Sequence, residues 1–144
     1  MATRTAQARW DGNFTDGSGT MEFGGGAFSG SYTAASRFEE GEGTNPEELI
    51  AAAHAGCFSM ALSLALEQAG HAPESVETTA DVHLNPASGG GFEMSRIDLH
   101  TRARVPGVDA AEFQRLAEET KQGCPVSKAL AAVGEITLEA ELES

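Results

Sequence analysis

The chain carries two thiols, Cys57 and Cys124. In a reducing compartment such a pair is no permanent staple, and each thiol is open to nucleophilic or redox chemistry. Cys57 lies in an apolar run, Ala51-Ala52-Ala53-His54-Ala55-Gly56-Cys57-Phe58-Ser59-Met60. There a cysteine is either a small core residue or a reactive one. Cys124 stands just before Pro125 at an expected helix start, where free N–H groups and the helix dipole stabilise a thiolate. Two cysteines whose Cα atoms come within ~7 Å can close and reopen a disulfide. Spacing alone leaves that proximity open.

Three further side chains bear on the thiols. Arg37, ahead of Glu39, Glu40 and Glu42, reads as a surface cation or as a guanidinium that lowers a thiol's pKa and holds a polar substrate. Glu47 sits where a helix begins, which makes it a complement to the helix dipole. His54 shares a helix face with Cys57 three residues on. It could act as a base, though packing or hydrogen bonding is the simpler reading. No CxxC pair or histidine cluster supports a structural zinc.

The elements that must position these residues are legible in outline. Alternation predicts short strands at Ala6–Trp10, Thr20–Phe23 and Phe28–Thr33, with glycines turning between them. Asn45 as cap, Pro46 at the first helical position and Glu48 as capping-box partner open a helix that Gly70 ends. Its apolar stripe reads Leu49, Ile50, Ala53, Cys57, Met60, Ala61 and Leu64, with Phe58 to one side. So apolar a helix should be buried on most sides, which in a small domain calls for a second chain. Two alternating strands follow, from Val76 to Leu84 and from Ile97 to Val105. Asp109 caps another helix, Cys124-Pro125 opens a short one, and Ile136–Leu142 is a last strand. Its outer face is acidic and that of the Arg96–Arg104 strand basic, which predicts that the two are neighbours. The order β-β-β-α-β-β-α-α-β is α+β, and residues 1–144 read as one domain.

Composition narrows the partners. The 144 residues carry 22 acidic and 9 basic side chains, a net charge of −13. That excludes a conventional nucleic-acid binder and docking on an anionic membrane. No uninterrupted run of 18 apolar residues and no secretory leader are read here, so a cytoplasmic location is expected. No metal is called for.

The segment from Gly43 to Ser63, with Asn45-Pro46-Glu47-Glu48-Leu49 and Ala55-Gly56-Cys57-Phe58-Ser59, resembles the OsmC branch of the OsmC/Ohr superfamily of thiol peroxidases. Gly123-Cys124-Pro125-Val126-Ser127 is similar to that family's second cysteine motif, and Arg37-Phe38 ahead of the long helix also fits. The resemblance implies an intertwined homodimer, with long central helices packed between mainly antiparallel sheets. It implies a peroxidase acting on organic hydroperoxides in preference to hydrogen peroxide. Cys57 would be oxidised to a sulfenic acid and Cys124 would resolve it as a disulfide, with Arg37 and Glu47 completing the catalytic set. Phe58 and Met60 would meet the substrate's alkyl tail. No cofactor is implied, only an external dithiol or lipoylated-protein reductant. Ten residues separate Glu47 from Cys57, ~15 Å along a straight helix, so residues of both chains are expected in each site. The alternatives are a cysteine-pair redox sensor and an apolar-ligand binding module with structural thiols.

Overall fold

In the computed structural model, which describes residues 1–143, the chain forms two compact units, Met1–Leu49 and the residues from Ile50 onward. In the first unit, β1 (Ala6–Asp11), β2 (Ser18–Phe23) and β3 (Phe28–Tyr32) make an antiparallel meander in the order β1-β2-β3. Gly19, on the central strand, is opposite Trp10 on one side and Tyr32 on the other. A Cβ at Gly19 would come within 2.5 Å of the Tyr32 ring and 2.8 Å of the Trp10 ring. Its absence lets the two rings meet across β2, at 5.3 Å between centroids.

A short helix that the strand alternation does not predict follows, α1 (Ala34–Phe38). Thr33 and Ser36 form its capping box, with Thr33 Oγ1 accepting from the Ser36 N–H and Ser36 Oγ accepting from the Thr33 N–H. Arg37 therefore rides on a helix and not on a loop.

The long helix α2 runs unbroken over Pro46–Gln68. Asn45 caps it through Oδ1, 2.8 Å from the Glu48 N–H. The expected reciprocal half of the capping box is not made: the Glu48 carboxylate accepts from Thr44 Oγ1 instead, at 2.8 Å. Gly70 adopts φ +89° and ends the helix, where the His71 N–H donates to the Leu66 carbonyl. By length, and by a mean hydropathy of 1.8 over an 18-residue stretch, α2 is long and apolar enough to cross a membrane, an exception to the expectation drawn from apolar runs. Its polar residues are uncharged over most of its length, so they interrupt the apolar runs but barely lower the average.

The buried stripe of α2 differs from the expected one. His54, Phe58 and Leu62, together with Leu66, have no exposed surface, whereas Met60 is 76% and Leu64 53% exposed. A helix apolar all round has no strong side of its own, so tertiary partners choose its face. Here the partner is the second unit's sheet, in the order β4-β5-β6, built from β4 (Ser75–Pro86), β5 (Phe92–Arg104) and β6 (Glu135–Glu143). Ile97, Leu99, Ala103 and Val105 point from one face of β5 and its end into the core, beside Phe58, Leu62 and Leu66. Phe113, Leu116 and Ala117 of α3 (Ala110–Gly123) pack into the same core. Ser59 Oγ donates to Thr78 Oγ1 at 2.7 Å, tying α2 to the sheet two residues past Cys57.

β5 pairs antiparallel with β4 and parallel with β6, the one parallel pairing among the described strands. The register sets Arg96 opposite Glu135, His100 opposite Glu139 and Arg102 opposite Glu141. The opposite charges that predicted this neighbourhood meet as ion pairs, Arg96 with Glu135 at 3.9 Å and Arg102 with Glu141 at 3.6 Å, while His100 Nδ1 lies 3.2 Å from the Glu139 carboxylate.

Candidate active site

In the first unit, α1 and the start of α2 are stitched together backbone to side chain. Ser36 Oγ donates to the Thr44 carbonyl at 2.8 Å, and Asn45 Nδ2 donates to the Ser36 carbonyl at 3.0 Å. The stitch aims the side chain of Arg37, the next residue, at Glu47 in the first turn of α2. The Arg37 Nε–H lies 3.2 Å from both Glu47 oxygens, and Nη2 donates to Oε1 at 2.7 Å. This is a forked, charge-assisted bond of the kind only arginine makes. Glu47 is buried, while the Arg37 side chain is 37% exposed. The carboxylate thus fixes a guanidinium that still has donors to offer.

Beside Arg37 lies a cavity of about 400 Å³ walled by Trp10, Phe14, Tyr32 and Phe38. The rings of Phe14 and Phe38 lie 6.1 Å apart, and the guanidinium sits 5.3 Å from the Phe38 centroid. This pocket is not legible in the sequence, because Trp10, Phe14 and Tyr32 are scattered along the chain. The available signal was the hairpin register through Gly19, which brings Trp10 and Tyr32 together.

In the second unit, Cys57 on α2 and Cys124 stand with their sulfurs 3.2 Å apart, both free thiols. Cys124 is both the C-cap of α3 and the N-cap of α4 (Pro125–Ala129). Its N–H donates to the Thr120 carbonyl, and its sulfur accepts from the Ser127 N–H at 3.4 Å. Burial pushes the Cys57 thiol up from its ordinary value; the Val126 N–H opposes this, and adjacent Cys124 adds to the rise. Burial acts on Cys124 in the same sense. There the Ser127 hydroxyl and N–H, the Cys57 thiol and the Val126 N–H together outweigh it, and the Cys124 thiol is held low. Among the described residues of this unit, no cation is one of the groups acting on either sulfur.

His54, one turn before Cys57, is a hydrogen-bonding residue: its Nε2 lies 2.7 Å from Ser127 Oγ. Burial lowers its pKa and keeps the ring neutral. Ser127, quoted in the second cysteine motif without a role, therefore touches both His54 and Cys124. Phe58, expected at the substrate's alkyl tail, is sealed in the core, and Met60 projects outward. Among the described residues, no group of three or more His, Cys, Asp or Glu side chains could hold a metal.

The geometry supports thiol redox chemistry, and comparison with known proteins agrees. Residues 39–139 match the family described as OsmC-like protein. The chain is 47% identical over 142 residues to peroxiredoxin OsmC of Escherichia coli, covering 98% of this chain and 97% of that one. It is 36% identical over 103 residues to an organic hydroperoxide resistance protein of Xanthomonas axonopodis, covering 68% and 67%. The crystal structure of the organic hydroperoxide resistance protein OhrB of Bacillus subtilis superposes with a TM-score of 0.67 at 27% identity, covering 96% and 98%. An OsmC-like protein of Mycoplasma pneumoniae shares the fold at a TM-score of 0.78 and 16% identity, covering 99% of each chain. By its family match and its nearly full-length similarity to an OsmC peroxiredoxin, the chain belongs to the OsmC family.

Proposed function

We propose that this protein is a thiol-dependent peroxidase that reduces organic hydroperoxides, and hydrogen peroxide less well. The observation that carries the reading is the pair of free sulfurs 3.2 Å apart, one partly buried and the other buried among hydrogen-bond donors. The Cys57 thiolate attacks the distal peroxide oxygen, the O–O bond breaks, and the alkoxide leaves as the alcohol. Cys57 is left as a sulfenic acid. Cys124 then attacks its sulfur, a disulfide forms and water departs. An external dithiol, for which a lipoylated protein is the expected donor, returns the pair to thiols.

Cys57 needs a cation to ionise at neutral pH, because burial and Cys124 both push its thiol up. Arg37, held by Glu47, is the group suited to supply it and to meet the charge developing on the leaving oxygen. Glu47 and Cys57 stand ~15 Å apart along the unbroken α2. This favours a site in which Arg37 and Glu47 of one chain serve Cys57 of another. The exposed Met60 and Leu64 on α2 support the same homodimer, since a second copy would cover them. The aromatic cavity beside Arg37 suits an alkyl tail. A reduced, cytoplasmic setting fits a cysteine pair that must be recycled.

The test adds one equivalent of an alkyl hydroperoxide to the reduced protein and follows intact mass and free thiols. Loss of both thiols and of about two mass units without crosslinked chains is the expected result. Two surviving thiols would refute the reading. Multiple turnover with a dithiol separates the enzyme from a redox sensor, and loss of turnover in Cys57→Ser separates it from a ligand-binding module.

A further inference from the structure

The two sulfurs are not the end of the buried polar chain. Cys124 is 1% exposed, Ser127 5% and His54 fully buried. His54 Nε2 lies 2.7 Å from Ser127 Oγ, and that oxygen lies 3.5 Å from Cys124 Sγ. The other ring nitrogen, His54 Nδ1, is buried without a hydrogen-bond partner. A neutral imidazole carries one proton, and its position sets the direction of the chain. With the proton on Nδ1, a donor would be orphaned, and Ser127 would spend its own proton on Nε2. With the proton on Nε2, only a lone pair is orphaned, which is the commoner kind of unpaired buried group. The Nε2–H then donates to Ser127 Oγ, and the serine proton is free to donate to the Cys124 sulfur. Among the described residues no charged side chain acts on this chain; the sulfur's remaining neighbours are the Ser127 N–H at 3.4 Å, which Ser127→Ala would keep, the Val126 N–H and the Cys57 thiol.

We infer that Ser127 and His54 form a donor chain that holds Cys124 as the thiolate that closes the disulfide on oxidised Cys57. Ser127 touches the reacting sulfur and is a catalytic residue in this step; His54 acts through Ser127 and is a positioning residue. The inference rests on the peroxidase reading and adds the origin of the resolving nucleophile. In the step, the Cys124 thiolate attacks the sulfur of the Cys57 sulfenic acid, an S–S bond forms and the S–O bond breaks. The departing hydroxide takes a solvent proton to become water. The Cys124 sulfur is oxidised and the Cys57 sulfur reduced, so no outside electron carrier is needed.

In a Cys57→Ser protein the remaining thiol is Cys124, and its ionisation can be titrated by thiolate ultraviolet absorbance. Adding Ser127→Ala or His54→Leu should leave about ten-fold less thiolate at a given pH, a rise of about one pH unit in the midpoint. Ser127→Thr keeps the hydroxyl and His54→Gln keeps an N–H donor, so both should restore most of the wild-type midpoint. In the two-cysteine protein, with the Cys57 sulfenic acid trapped by dimedone at timed intervals, S127A and H54L should slow disulfide closure. That slowing should exceed any effect on peroxide consumption by about ten-fold. An unmoved midpoint in both S127A and H54L overturns the inference. So does a midpoint that S127T and H54Q fail to restore, because packing would then be the cause. If the wild-type protein forms no sulfenic acid at all, the peroxidase reading itself falls and takes this inference with it.

Discussion

Cys57 and Cys124, 67 positions apart in the chain, hold their sulfurs 3.2 Å apart. A disulfide requires about 2.05 Å, so closure needs a shift of the size that side-chain rotation supplies. The proposed resolving step therefore needs no unfolding of α4 or of the end of α3.

Cys124→Ser should accordingly permit one reaction and then stop. Peroxide consumption should show a burst of about one equivalent per chain, followed by stalling or over-oxidation of Cys57. A quenched-flow peroxide assay with intact-mass detection reads both. Full steady-state turnover of this variant with a dithiol would remove Cys124 from the resolving role.

On the proposed function, substrate preference should reside in the aromatic cavity beside Arg37. Phe14 forms one wall of it and is 64% exposed. Phe14→Ala should lower kcat/KM for an alkyl hydroperoxide relative to hydrogen peroxide by roughly ten-fold, the scale of a hydrophobic pocket contact. The measurement is the ratio of the two kcat/KM values, and an unchanged ratio would place the alkyl tail elsewhere.

Much of the site was legible in the sequence because its residues lie beside strong local signals. Asn45 and Pro46 mark the start of α2, and Gly123-Cys124-Pro125 marks a helix junction, so Glu47, Cys57 and Cys124 could be set on their elements. The face of α2 was not legible. Leu49, Ile50, Cys57, Met60 and Leu64 make as good an apolar stripe as His54, Phe58, Leu62 and Leu66. Only packing against Ile97 and Leu99 selects the latter. The helix carrying Arg37 was hidden for another reason: its capping box pairs Thr33 with Ser36, not with a glutamate, and it spans five residues. The role of Ser127 needs the 73-residue separation from His54 to be closed, which no local pattern reports.

Acid stability should be governed in part by the outer face of the second sheet. Hydrogen bonds from the Thr137 hydroxyl, then from Arg96, and a smaller one from His83 hold the Asp98 carboxyl well below its ordinary range. The folded carboxyl titrates below the unfolded one, so its contribution is present above pH about 4 and is lost as pH falls. Asp98→Asn should thus melt at a lower temperature than wild type at pH 7. The gap should narrow as the pH drops below about 4, where the wild-type carboxyl begins to lose its advantage. Thermal melts across that range check the sign; a gap that widens on acidification would contradict it.

The proposed two-chain site makes a prediction that neither single variant can make. Cys57→Ser lacks the nucleophile, and Arg37→Ala lacks the guanidinium while leaving the buried Glu47 without its forked partner. Each homodimer should be inactive or nearly so. If each site combines Arg37 of one chain with Cys57 of the other, a mixed dimer has one intact site and one doubly defective site. Unfolding and refolding an equimolar mixture makes about half the dimers mixed, so about a quarter of all sites should regain activity. Arg37→Ala will also cost some stability, tempered because the arginine is more than a third exposed. The mixture must therefore be compared with each variant refolded alone. Activity that returns only on mixing requires sites shared between chains. A mixture no more active than the sum of its parts, with mixed dimers demonstrated by native mass spectrometry, would put Arg37, Glu47 and Cys57 to work within one chain.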